Sequence, residues 1–151
     1  MKTSDIEALI ITKQVAKIPI DKQKIEGSIK AANLWLEEAK KNLEAGALRS
    51  CMIASYLSMF HSARAILFSD GFRDKTHYGV ARYLDMIYAK RGLLEKNWVE
   101  LLDYYREVRH NNQYWPSMGN NEEETIEAIK TAERFIERMS KLLAKKNEYK
   151  N

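Results

Sequence analysis

The run from Ala47 to Ser69 limits the fold more than any other stretch of the chain. It is apolar nearly all round, carrying Met52, Ile53, Ala54, Leu57, Met59, Phe60, Ala63, Ile66, Leu67 and Phe68. A helix without a wide polar face is normally surrounded by others. The run therefore predicts a central helix, stopped by Asp70-Gly71. Its neighbours are legible from three- and four-residue apolar spacing. Ala31, Leu34, Trp35, Ala39 and Leu43 predict a helix over about 24–45, with Gly46 where a C-cap glycine belongs. Val80, Tyr83, Leu84, Ile87 and Tyr88 mark a shorter helix ending near Arg91-Gly92. Another begins near Glu95 on Trp98, Leu101, Leu102, Tyr105 and Val108, weakened by Asn111-Asn112 and closed ahead of Pro116. Asn121 caps the last helix, which opens on Glu122-Glu123-Glu124 and runs to about Lys145 on Ile126, Ile129, Ile136, Met139 and Leu143. Residues 72–77 and 117–121 read as loops. Strand signals are few, and no internal repeat is present.

The expected fold class is all-α, a four- to five-helix up-and-down bundle with a short N-terminal extension. The 151 residues suit one domain, and only 2 prolines and 6 glycines leave long elements uninterrupted. Ser4-Asp5-Ile6-Glu7 fits a capping box, predicting a short helix to about Gln14 that Ile18-Pro19-Ile20 breaks. Residues 1–23 are thus an extension that covers the bundle or a neighbouring subunit. Residues 24–146 form the bundle, and 147–151 a disordered tail. The net charge of +4 is far below that of a dedicated DNA-coating protein. One cysteine, Cys51, excludes an internal disulfide and a cysteine-rich zinc site, and reads as core. The early apolar stretch Ala8-Leu9-Ile10-Ile11 is too short for a signal peptide or a membrane span. A cytoplasmic location away from membranes is expected.

No glycine-rich phosphate loop, metal-spaced histidine pair or Ser/His/Asp signature is present, so neither metal nor cofactor is expected. One helix carries an anomaly. Advancing about 100° per residue from Trp98 brings Leu102, Tyr105 and Arg109 within roughly 40° of it. Arg109 therefore leaves the middle of an apolar face, where a guanidinium is costly unless paired. A planar cation with five donors suits a phosphate; the plainer alternatives are an internal carboxylate partner or a reach past the core into water. Arg106, Asp103 and His110 cluster on the adjoining flank, and Asn111, Asn112, Gln113 and Tyr114 follow. The loop Arg73-Asp74-Lys75-Thr76-His77 holds three cation-forming side chains, enough for a phosphate patch or simply a wet surface. His61 lies in the central helix one turn from Arg64, as a satisfied core residue or a catalytic one. The carboxylate pairs Glu37-Glu38 and Glu122 to Glu124 fall on solvated faces.

Three segments in order carry a resemblance: Tyr56-Leu57-Ser58-Met59-Phe60-His61-Ser62-Ala63-Arg64, then Gly71-Phe72-Arg73-Asp74-Lys75-Thr76-His77, then Arg109 to Tyr114. Together they resemble the HEPN superfamily, nearest its small stand-alone prokaryotic branch, over about Lys24 to Ala144. The resemblance implies a homodimer with the arginine motifs of two subunits facing across a cleft. It also implies metal-independent ribonuclease activity, often as a toxin paired with a minimal nucleotidyltransferase. The family's ribonuclease motif is an arginine, a polar residue, then four to six positions and a histidine. Arg109 and His110 match its start, but the spacing then reaches Tyr114, Trp115 or Pro116. Ribonuclease chemistry needs a base for the 2′-hydroxyl proton, and a neutral tyrosine with a pKa near 10 is a poor one.

The leading expectation is a dimeric module that binds nucleotide or RNA phosphate. Arg109 is its anchor, Arg106, Asn111 and Tyr114 assist, and Arg73, Lys75, His77 and His61 extend the surface. Whether it is an enzyme stays open: a metal-independent endoribonuclease would use Arg109 and Tyr114, with His110 or His61 as base. The third alternative is a structural interaction protein whose Arg109 makes an intersubunit salt bridge.

Overall fold

The computed structural model describes residues 4–115 and 120–150, residues 147–150 by backbone alone. Ser4 caps α1 (Asp5–Ile11), accepting the Glu7 backbone N–H at 3.1 Å. Strand β1 (Val15–Lys17) follows, then α2 (Lys22–Glu44) and α3 (Leu48–Ser69). Strand β2 (Phe72–Asp74) leads to α4 (His77–Tyr83), which continues as a π-helical turn over Leu84–Ala89. The long helices α5 (Lys96–Tyr114) and α6 (Glu122–Lys150) complete the order. Asn121 caps α6 as its sequence suggests, accepting the Glu124 N–H at 2.8 Å.

The fold is an all-α bundle. Helix α3 packs against α2, α5 and α6, burying Tyr56, Met59, Ile66 and Leu67 completely alongside Leu102, Phe135 and Met139. By length and composition α3 is apolar enough to cross a membrane, yet the other helices cover 78% of that stretch. Cys51 is among its core residues.

The α2–α3 turn closes as a Schellman motif. The Ala47 N–H bonds the Asn42 carbonyl at 2.8 Å, the Gly46 N–H bonds that of Leu43 at 3.0 Å, and Gly46 sits at φ +72°. A Cβ there would touch nothing within 4 Å, so only backbone strain opposes a side chain. Gly46→Ala is expected to cost about 1 kcal/mol and lower the melting temperature by roughly 3 °C, readable by thermal denaturation.

The N-terminal segment and residues 72–77 depart from their sequence reading. Helix α1 stops at Ile11 rather than Gln14, because the Thr12 hydroxyl donates back to the Ala8 carbonyl at 2.8 Å and Lys13 adopts φ +60°. Part of the supposed loop is strand: β1 and β2 pair antiparallel, with Val15 opposite Asp74 and Lys17 opposite Phe72. Three-residue strands are too short to show the alternation that identifies a strand. Leu9 and Val15 are almost inaccessible, so this segment packs on its own bundle. On α2 the buried residues are Ser28, Ala32, Leu36 and Ala39. Leu34 instead turns outward at 60% exposure and lines a shallow groove of about 390 Å³ with Ala31, Trp35 and Glu38. Ala32 and Ala39 are fully buried as α2 packs on α3, and that face of the helix leaves Leu34 outside. Helix α5 continues through Asn111-Asn112 to Tyr114; the buried Asn112 amide donates to the Val108 carbonyl at 2.9 Å. The backbone of α6 is helical as far as Lys150, beyond the expected start of a tail at 147.

Candidate functional site

Three elements bring one arginine, one histidine and one tyrosine together. Helix α5 directs Arg109 toward α3, where its guanidinium carbon lies 5.3 Å from the Tyr56 ring centroid. Its Nη1 donates to Gln113 Oε1 at 2.8 Å, one helical turn on, and its Nη2 stands 3.5 Å from His77 Nδ1. Tyr56 projects from α3, and its hydroxyl lies 2.8 Å from the same Nδ1. Thr76 caps α4 by accepting the Gly79 N–H at 2.8 Å, which fixes His77 as the first residue of that helix. The His77 ring then stacks on Phe60 with centroids 4.0 Å apart and planes 11° from parallel.

Nearby arginines are neutralised. Arg106 holds Asp103 at 2.7 Å, Arg82 holds the same carboxylate, and Arg64 holds Asp74 at 2.7 Å. Arg109 has no carboxylate partner among the described residues, and its Nε is buried without a hydrogen bond. Leaving a guanidinium this way is costly, and an unsatisfied polar atom in a folded protein calls for a cause.

Burial, followed by the Arg109 charge, lowers the His77 pKa to about 4, so its ring is neutral at pH 7. Burial raises the Tyr56 phenol above its usual range, against the pull of Arg109, so the hydroxyl keeps its proton. Burial and then Arg64 also lower His61. A histidine held below its unfolded value of 6.5 binds fewer protons folded than unfolded. Its contribution to stability is complete above pH 6.5 and is lost as pH falls toward about 4. His77→Gln is expected to flatten that decline in urea denaturation at stepped pH, leaving the part due to His61.

The other residues singled out from sequence disperse. Arg106 lies over the Tyr78 ring at 5.2 Å as well as on Asp103. Arg73, on β2, and Lys75, just after it, are exposed. His61 is half-buried, edge-on to Phe60 at 5.2 Å. Asn111 is half-buried, and its carbonyl accepts the Trp115 N–H at 2.8 Å. His110 and Tyr114 pair with each other on the exposed side, rings 4.7 Å apart. Five residues turn a helix by roughly 140°, so Tyr114 points away from Arg109. The trio Arg109, His110 and Tyr114 is therefore not one cluster within a subunit. Much of the expected loop over 117–121, with Pro116 before it, lies outside the described residues. No group of three His, Cys, Asp or Glu side chains converges as a metal-ligand set among the described residues.

The sequence analysis gives Tyr56 and Phe60 no part in the site, and names Gln113 only among the polar residues after Arg109. A signal for Tyr56 existed: a tyrosine inside an all-apolar helix needs a partner for its hydroxyl. Gln113 was visible as the i+4 neighbour of Arg109.

The structure is thus a helical bundle in which Arg109, late in α5, faces His77 at the start of α4. The HEPN domain family model matches residues 25–143, and the chain belongs to that family. It is 27% identical over 122 residues to a protein of Methanocaldococcus jannaschii named "Putative toxin", covering 81% of this chain and 90% of that one. A UPF0332 protein of Pyrococcus horikoshii is 32% identical over 84 residues, covering 56% and 59%. A UPF0332 protein of Archaeoglobus fulgidus is 27% identical over 114 residues, covering 76% and 90%.

Proposed function

We propose that the chain is a HEPN-type module that binds the phosphate of RNA or of a nucleotide, acting as the toxin-like half of a toxin–antitoxin pair. The observation that carries this reading is the Arg109 guanidinium, half-buried and without a carboxylate partner among the described residues, beside a neutral imidazole. A phosphate oxygen is the complementary group for such donors. The name of the Methanocaldococcus relative supports the toxin part. By resemblance to the family, two copies place their arginine motifs across a shared cleft in the cytoplasm, and a minimal nucleotidyltransferase is the partner.

The alternative, a metal-independent endoribonuclease, is favoured by one observation. His77 stands 3.5 Å from Arg109, an imidazole beside the arginine where the motif's own histidine position holds Tyr114, Trp115 or Pro116. The deciding experiment measures RNA binding and cleavage in EDTA for the wild type, Arg109→Ala and His110→Ala at matched dimer content. Arg109-dependent binding without cleavage supports the binding module. Cleavage abolished by Arg109→Ala makes the protein a ribonuclease, and the His110 variant then tests that residue as base. With neither binding nor cleavage, Arg109 is left to an intersubunit contact in an interaction protein.

A further inference from the structure

The hydrogen bonds around His77 fix which of its two nitrogens carries the proton. Nδ1 faces two groups, the Tyr56 hydroxyl at 2.8 Å and Arg109 Nη2 at 3.5 Å. A guanidinium has no lone pair and only donates. A proton on Nδ1 would therefore point at an N–H of a cation. Nδ1 must instead be the acceptor, and the un-ionised Tyr56 hydroxyl donates to it. A neutral imidazole has one N–H, which leaves Nε2 as the donor. Nε2 has no partner among the described residues and is not one of the buried, unpaired atoms.

We propose that His77 presents a fixed Nε2–H to a phosphate oxygen held by Arg109, whose guanidinium sets this tautomer, and that Tyr56 is the positioning residue that holds the ring by donating to Nδ1. This rests on the phosphate-binding reading and sharpens it. An imidazole with its proton on Nε2 offers that face as a donor and cannot take a 2′-hydroxyl proton there. The low pKa keeps the ring in this neutral form across the physiological range. The groups acting on it are Tyr56, His61 and Arg64 from α3, Asp74 from β2 and Arg109 from α5. Asp74 is already paired with Arg64, so no free carboxylate among these draws a second proton onto the ring.

The test reads the tautomer directly. In the 15N-labelled full chain at pH 7, imidazole nitrogen shifts are expected to place the His77 proton on Nε2. Arg109→Ala is expected to let Nδ1–H forms appear, the Tyr56 hydroxyl then accepting, whereas Tyr56→Phe is expected to keep Nε2–H and to weaken binding of a ten-nucleotide oligouridylate roughly tenfold, the loss of about one neutral hydrogen bond. A second pair of variants guards against misfolding of Tyr56→Phe. The amide of His77→Gln reaches where Nε2 stood and is expected to retain most binding; that of His77→Asn reaches only the Nδ1 position and is expected to lose it. A wild-type proton on Nδ1, an unchanged tautomer in Arg109→Ala, or Asn binding as well as Gln would overturn the proposal. An Nε2–H tautomer in a protein that ignores oligouridylate removes the phosphate ligand from the proposal and the proposed function together, while Tyr56 keeps its positioning role.

Discussion

Arg109→Ala is expected to weaken binding of a single-stranded oligoribonucleotide by roughly a hundredfold while leaving the fold intact. A guanidinium that meets phosphate through charge-assisted bonds contributes about 3 kcal/mol, close to two decades in Kd. The salt dependence should fall as well, its slope dropping by about 0.7 for one lost single-strand phosphate contact. The variant has little reason to unfold. Truncation removes the cation over Tyr56, worth about 0.5–1 kcal/mol, and the bond to Gln113. It also removes a buried Nε that has no partner, and these effects oppose one another. Because the Arg109 charge helps hold His77 below its ordinary pKa, the His77 titration should move upward in the variant. Fluorescence anisotropy and a urea melt on the same preparation separate the two readings. A variant that binds normally but unfolds would make Arg109 structural.

Gly79→Ala is expected to produce the largest loss of stability from one added carbon. Its Cβ would fall inside the Gln14 carbonyl oxygen, and 3.0 Å from both the Gln14 carbonyl carbon and Thr76 Oγ1. None of these can easily retreat. The Gln14 carbonyl accepts the Lys75 N–H at 2.9 Å, and its side-chain Oε1 accepts the Thr76 hydroxyl at 2.6 Å. Thr76 Oγ1 in turn caps the Gly79 N–H. Relief requires the N-terminal segment to lift or α4 to shift, at about 3 kcal/mol, near 9 °C in melting temperature. Either movement disturbs the His77–Phe60 stack, so oligonucleotide binding should weaken too. Thermal denaturation and hydrogen exchange over residues 5–17 check this. An unchanged melt would show that the close approach of α4 to Gln14 is not a constraint.

The two substitutions differ in how far the sequence points to them. The central helix, the Gly46 stop and the Asn121 cap were legible because each rests on local chemistry: burial all round, a positive φ and a side-chain acceptor. Arg109 stood out by phase, since 3.6-residue geometry put a cation on an apolar face. Its partners were a different matter. His77 is 32 positions away and entered the reading only as part of a charged loop. Tyr56 figures there only as the first residue of a segment that carries the family resemblance, with no role of its own. Nothing in the chain order says that α4 begins over Phe60; that follows from Thr76 capping and from Gln14 pinning the α4 entry. The same non-local pairing hid the β-ribbon, whose two strands are far apart in sequence and three residues long. His110 and Tyr114 were drawn toward Arg109 by adjacency, and helical rotation separates them.

The central claim is that Arg109 and His77 form one phosphate-binding site, and a titration of the isotope-labelled chain with oligouridylate tests it most directly. The Arg109 Nε–H and His77 imidazole resonances are expected to shift together and saturate along one binding curve. If RNA binds while both stay in place, or if only the His110–Tyr114 side responds, the site lies elsewhere and the account is contradicted.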